Sequence, residues 1–162
     1  MSFEPVYNEH SRALILGTWP SPKSREIAFY YGHPQNRFWP MLAALTGEQT
    51  PAREDIAAKK QIILRHGLAL WDTLASCTIT GASDASIKDV VPNDIAALLA
   101  KVPIEAVFCN GATAYRIYTK YLLPVSGIEA VKLPSTSPAN AACRPEKLRA
   151  VWGEALGPWI SN

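Results

Sequence analysis

The stretch Ala13-Leu14-Ile15-Leu16-Gly17-Thr18 decides the architecture. An apolar run without alternation suits a strand covered on both faces, as in a parallel sheet. Three more runs repeat the form: Leu68–Trp71, Ala106–Cys109 and Ala130–Leu133. Each is followed by turn or cap residues, Asp72-Thr73, Asn110-Gly111 and Pro134-Ser135-Thr136-Ser137. Helical patterns lie between them. Phe38–Thr46 stops at Gly47, a natural C-terminal cap, and its Pro40 fits only the first turn. Arg53–Arg65 ends near Gly67; Asn93–Lys101 starts after Pro92 with Asn93 or Asp94 as cap; Ala112–Tyr121 and Pro145–Leu156 follow. Strand alternating with helix implies βαβ units with right-handed crossovers. The expectation is an α/β fold, a three-layer α/β/α sandwich around a central parallel sheet of about four strands, with residues 1–162 as a single domain.

The 162 residues are 48% hydrophobic and 19% charged, a balance that supports a full core rather than disorder. A net charge of +2 is far below that of a general nucleic-acid coat protein, so any DNA binding must rest on a local cluster of cations. Cys77, Cys109 and Cys143 are odd in number and include no Cys-x-x-Cys pair. They cannot by themselves build a zinc site or a four-thiolate cluster. They suit free thiols in a reducing cytoplasm. Met1–Arg12 lacks the pattern of a secretory signal, and no apolar stretch approaches the roughly 20 residues of a membrane helix. No metal, cofactor or membrane partner is expected.

In open parallel sheets, ligands sit outside the carboxyl ends of the strands. The site is therefore expected in the turns at residues 17–36, 72–86, 110–111 and 134–144. The first turn gathers aromatics, amides and cations: Gly17-Thr18-Trp19-Pro20-Ser21-Pro22-Lys23-Ser24-Arg25, then Phe29-Tyr30-Tyr31-Gly32-His33-Pro34-Gln35-Asn36-Arg37-Phe38-Trp39. Flat rings stack on any base, amides read a base edge or hold a water, and Lys23, Arg25 and Arg37 can reach phosphates. The last strand ends in Leu133-Pro134-Ser135-Thr136-Ser137-Pro138-Ala139-Asn140. Its hydroxyls can donate to a phosphate, its prolines stiffen it as a wedge for base extrusion, and Arg144 can add charge.

These three segments resemble the uracil-DNA glycosylase superfamily, and within it the hypoxanthine-DNA glycosylase branch. The likeness runs from the first strand to the last helix, and Gly32–Trp39 is its most specific part. Mismatch-specific relatives carry a water-activating asparagine in a Gly-x-Asn-Pro pattern; here Trp19 stands at that place. The Gly-x-Asp-Pro-Tyr pattern of the main uracil enzymes is also missing, as is their histidine-bearing last loop. The hypoxanthine branch shares these losses. The resemblance implies that its essential asparagine is Asn36.

The resemblance thus implies a monofunctional glycosylase that hydrolyses the glycosidic bond of a flipped-out deaminated base, most simply as a monomer. Asn36 would position the water, Tyr31 would stack on the base, and backbone donors near Gly17 and Trp19 would receive charge on the leaving group. Asp72, at the end of the second strand, would read the base, its carboxylate accepting from N1 of hypoxanthine. Lys23, Arg25, Arg37, Ser135, Thr136, Ser137, Ala139, Asn140 and Arg144 would meet DNA, with Ala139 or Asn140 as the wedge. Asp84-Ala85-Ser86 could touch a phosphate or the same pocket. Plainer roles compete. Asn36 also suits a helix cap, His33 a loop brace, and Asp72 a cap after its strand. Two other functions stay open: a uracil or mismatched-thymine glycosylase, and a damage-binding module without catalysis.

Overall fold

The computed structural model describes residues 3–79 and 87–161. Four strands, β1 (Ala13–Gly17), β2 (Leu68–Asp72), β5 (Ala106–Asn110) and β6 (Ala130–Leu133), form one sheet in the order β2-β1-β5-β6. All three pairings are parallel, with Gly17 opposite Asp72 and Asn110 opposite Leu133 at the carboxyl ends. Side chains alternate across the sheet. Ala13, Ile15, Leu68, Leu70 and Phe108 face one core with α2 (Phe38–Thr46), α3 (Ile56–Arg65) and α7 (Pro145–Leu156). Leu14, Leu16, Ala69, Val107 and Cys109 face the other with α4 (Ile95–Lys101) and α5 (Ala112–Ile117). Burial on both faces explains why the strands read as unbroken apolar runs, and the expected α/β/α sandwich is the fold observed.

The strand at Ala130–Leu133 departs from its reading. It is the sheet edge, with Val131 and Lys132 exposed, so only part of it is covered. An antiparallel ribbon was not foreseen: β3 (Leu74–Ile79) pairs with β4 (Ile87–Pro92). Nor was α1 (Pro22–Ile27), capped by the Ser21 hydroxyl on the Ser24 amide with proline in its first turn. α3 begins at Ile56 rather than Arg53, because Asp55 caps it through the Ala58 amide. Asp94 caps α4, while Asn93 holds the Asp72 carbonyl at 2.8 Å. After α5 the chain widens into a π turn (Tyr118–Leu122) and a short α6 (Leu123–Ser126).

Candidate active site

The carboxyl ends of β1, β2 and β5 and the loop after β6 enclose a cavity of about 630 Å³. Gly17, Trp19, Tyr31, Asn36, Asp72, Ser135, Thr136, Ser137 and Ala139 line it, together with Asn110. Lys23 and Arg25 on α1, and Arg144 ahead of α7, are exposed outside it. A depression of about 520 Å³ at the opposite end of the sheet, between Glu9 and Glu105, gathers no comparable set of groups.

The first turn is built by its own small residues. The Ser24 hydroxyl accepts the Gly32 amide at 2.9 Å. A side chain at Gly32 would collide with Ile27 and the Ser24 backbone, so the turn closes only on glycine. Arg53 braces the same turn from outside, donating to the Gly32 carbonyl at 2.7 Å and the Lys23 carbonyl at 3.0 Å. Tyr31 sits at φ +54°, in the left-handed region that bulky residues avoid. That backbone lays its ring on Phe38, centroids 4.2 Å apart, and its hydroxyl is buried without a hydrogen-bond partner among the described residues. Arg25 stacks 4.7 Å over the Trp19 ring.

Asn36 is pinned rather than loose. Its Oδ1 accepts the Phe38 amide at 2.9 Å, which serves the start of α2 as a cap would. An amide oxygen has a second lone pair, and the NH2 group is also uncommitted by that bond. His33 braces the loop, its Nδ1 accepting from the Gln35 amide at 3.0 Å.

Two residues expected at phosphates are engaged elsewhere. Arg37 donates to the carbonyls of Ser137 (2.9 Å), Asn140 (3.1 Å) and Cys143, fastening the last loop to α2. Most of its N–H donors are engaged by protein carbonyls, which makes it a brace of the loop rather than a ready phosphate ligand. Thr136 is buried, its hydroxyl accepting the Asn110 amide at 3.0 Å while Asn110 Oδ1 accepts the Thr136 backbone amide at 3.0 Å. Reciprocal bonding satisfies both residues and withdraws Thr136 from solvent. Asn110 is legible in the sequence as a turn residue at a strand's carboxyl end; its clamp on a loop 26 residues away is not. Asn140 ties the loop through the Ser135 carbonyl at 3.0 Å, which leaves exposed Ala139 at the rim. Asp84-Ala85-Ser86 lies outside the described residues.

Asp72 is the electrostatic centre. It is 4% exposed, and burial pushes its carboxyl up to about 7, with the Arg25 charge pulling back. Burial likewise raises the Tyr31 phenol, helped by Asp72 and opposed by the neighbouring Asn110 amide. A methyl group added at Gly17 would lie 2.6 Å from Asp72 Oδ1 and 2.8 Å from the Tyr31 hydroxyl. Both polar groups therefore converge on the space that the glycine leaves empty. The set comprises a side-chain amide, aromatic rings, a buried acid and a rigid polar loop. No cluster of metal-ligating side chains occurs among the described residues.

Comparison with known proteins agrees with this architecture. The profile of the uracil DNA glycosylase superfamily matches residues 4–156. A protein from Methanosarcina acetivorans named hypoxanthine DNA glycosylase is 36% identical over 141 residues, 85% of this chain and 86% of its own. One of the same name from Methanosarcina barkeri is 30% identical over 155 residues, 95% of this chain and 96% of its own. A solution NMR structure from Methanosarcina acetivorans, provisionally designated a uracil DNA glycosylase, superposes with a TM-score of 0.77 at 33% identity, covering 94% of this chain and 96% of that one.

Proposed function

This chain belongs to the uracil DNA glycosylase superfamily, and we propose that it releases hypoxanthine from deoxyinosine in DNA by hydrolysing the N-glycosyl bond. One observation carries this reading: the chain is similar nearly end to end to two proteins named hypoxanthine DNA glycosylase. The sequence agrees, because Trp19 occupies the place where mismatch-specific relatives keep their asparagine.

The nucleotide leaves the stack and its base enters the cavity. Tyr31, backed by Phe38, and Trp19, backed by Arg25, supply the stacking surfaces. Asn36, fixed by the Phe38 amide, positions water at C1′. An amide is too weak a base to deprotonate that water, and it does not need to. Cleavage passes through an oxocarbenium-like state that attracts even neutral water. Backbone donors of the first turn receive charge on the departing base. Among the described residues no lysine lines the cavity, so hydrolysis rather than Schiff-base strand cleavage is expected. Lys23, Arg25, Arg144 and, from the last loop, Ser135, Ser137 and Asn140 face the DNA backbone, with Ala139 as the wedge. The reading takes residues 1–162 as one glycosylase domain that acts as a cytoplasmic monomer. No helix among the described residues is long and apolar enough to cross a membrane.

The test is excision from duplexes carrying one deoxyinosine or one deoxyuridine, read as strand breaks after hot alkali. Cleavage at inosine, abolished in Asn36→Ala with the fold intact, is the expected result. Cleavage chiefly at uracil would keep the superfamily and replace the substrate, in line with the designation of the NMR neighbour. Lesion binding without base release would make the domain a sensor.

A further inference from the structure

We propose that Asp72 is the proton donor to the departing purine, its carboxylic acid delivering a proton to N7 of hypoxanthine. This rests on the hypoxanthine reading above and adds a role that Asn36 cannot fill. A purine leaves poorly as an anion. A proton on N7 lets it leave as a neutral molecule, which is the work of a general acid.

Three observations converge on this carboxyl. Asp72 ends β2 and lines the cavity, yet it is 4% exposed, so its carboxyl lies at the cavity's buried end. Gly17 beside it has no side chain, and the space above that glycine is where Asp72 Oδ1 and the Tyr31 hydroxyl meet. The Tyr31 hydroxyl is buried without a partner among the described residues. An orphan donor next to an acid has a use once the acid has ionised, because it can turn to the new carboxylate. The other charged and titratable neighbours are Arg25 from α1, Tyr30 from the same turn, and Cys109 from β5 beyond Tyr31. Arg25 favours the carboxylate that forms, while burial keeps the acid protonated near neutrality.

The step balances. The Asp72 O–H bond breaks and an N7–H bond forms. The C1′–N9 pair withdraws into the purine, which departs neutral. Water held at Asn36 bonds to C1′, and the proton it sheds restores the acid directly or through solvent.

The experiment is single-turnover release of hypoxanthine from a deoxyinosine duplex across a pH series, for wild type, Asp72→Asn and Tyr31→Phe. Wild type should hold its rate at low pH and lose it as pH rises through about 7. Asp72→Asn should be slower by about 100-fold or more, and its rate should no longer depend on pH in that range. Tyr31→Phe keeps the ring on Phe38 and should move the alkaline limb to higher pH. Binding to an uncleavable 2′-fluoro lesion duplex checks that each variant still folds and engages DNA. An Asp72→Asn enzyme that retains the wild-type alkaline limb, or works within tenfold of wild type, overturns the proposal alone. A wild type that releases uracil but no hypoxanthine overturns the substrate reading and this proposal with it.

Discussion

Gly17 has no β-carbon, and the cavity depends on that. A methyl group there would press on Asp72 and Tyr31 at 2.6 and 2.8 Å, distances that real carbons do not tolerate. Gly17→Ala should therefore destabilise the fold by about 1–3 kcal/mol and depress excision at every pH; a thermal melt and a single-turnover rate will show both. Asp72 gives a second prediction with a definite sign. Its folded-state pKa lies above the unfolded value, so its favourable contribution is complete below the unfolded pKa and disappears as pH rises through about 7. Replacing it with the neutral isostere removes that loss. Between about pH 4 and pH 8, urea unfolding of Asp72→Asn should gain on wild type by up to about 4 kcal/mol. A constant difference across pH would mean that Asp72 is not held neutral by burial. The apolar run that ends at Gly17 marked the strand from sequence alone. That Asp72 would be buried was not legible, because its immediate neighbours Trp71 and Thr73 do not reveal what covers it.

At the scale of elements, the last loop stands on two amide and guanidinium clamps. Arg37 gathers the carbonyls of Ser137, Asn140 and Cys143, and Asn110 holds both ends of the Thr136 peptide–hydroxyl pair. Lysine has no planar fork and cannot reproduce the first clamp. Arg37→Lys should cost about 2 kcal/mol and speed amide exchange in the 135–143 loop, measurable by deuterium uptake. Excision should fall with it while the pH limb stays in place, since the loop and not the acid has been disturbed. Unchanged exchange in that loop would remove Arg37 from this role. Elsewhere the local signals were uneven. Ser21 followed by Pro22 is a helix start present in the sequence, inside the stretch read as the first turn. The β3–β4 ribbon gave less warning: its pairing carries register shifts, and Ser76 and Thr78 are exposed, so no apolar face announced it.

At the scale of the whole molecule, the +2 charge and the position of the exposed cations set the expected hold on DNA. With Arg37 turned inward, Lys23, Arg25 and Arg144 remain near the rim, and Lys23 already shares its charge with Glu26 at 3.2 Å. Lesion binding should weaken with salt at a modest log–log slope of about −3, each phosphate contributing about −0.9. A fluorescence-anisotropy titration at several salt concentrations measures it, and a slope near −8 would require more cations than the described residues place around the rim.

The sequence by itself determined the layered sheet and the end of it at which the candidate cavity opens. Apolar runs, helix stops and the order of strand and helix are local properties, and burial on both faces leaves a direct trace in composition. It also marked Asn36, Tyr31 and Asp72 as the residues to follow. Only the tertiary structure decided what each polar group does. Arg37 and Arg25 are chemically alike in the chain, yet one meets a ring of carbonyls and the other an indole. Thr136 and Ser135 are adjacent hydroxyls, yet only Thr136 meets Asn110. Which partner a polar group meets depends on contacts made across tens of residues. The affinity of water for an acid, lost at Asp72 by burial, depends on everything packed around it.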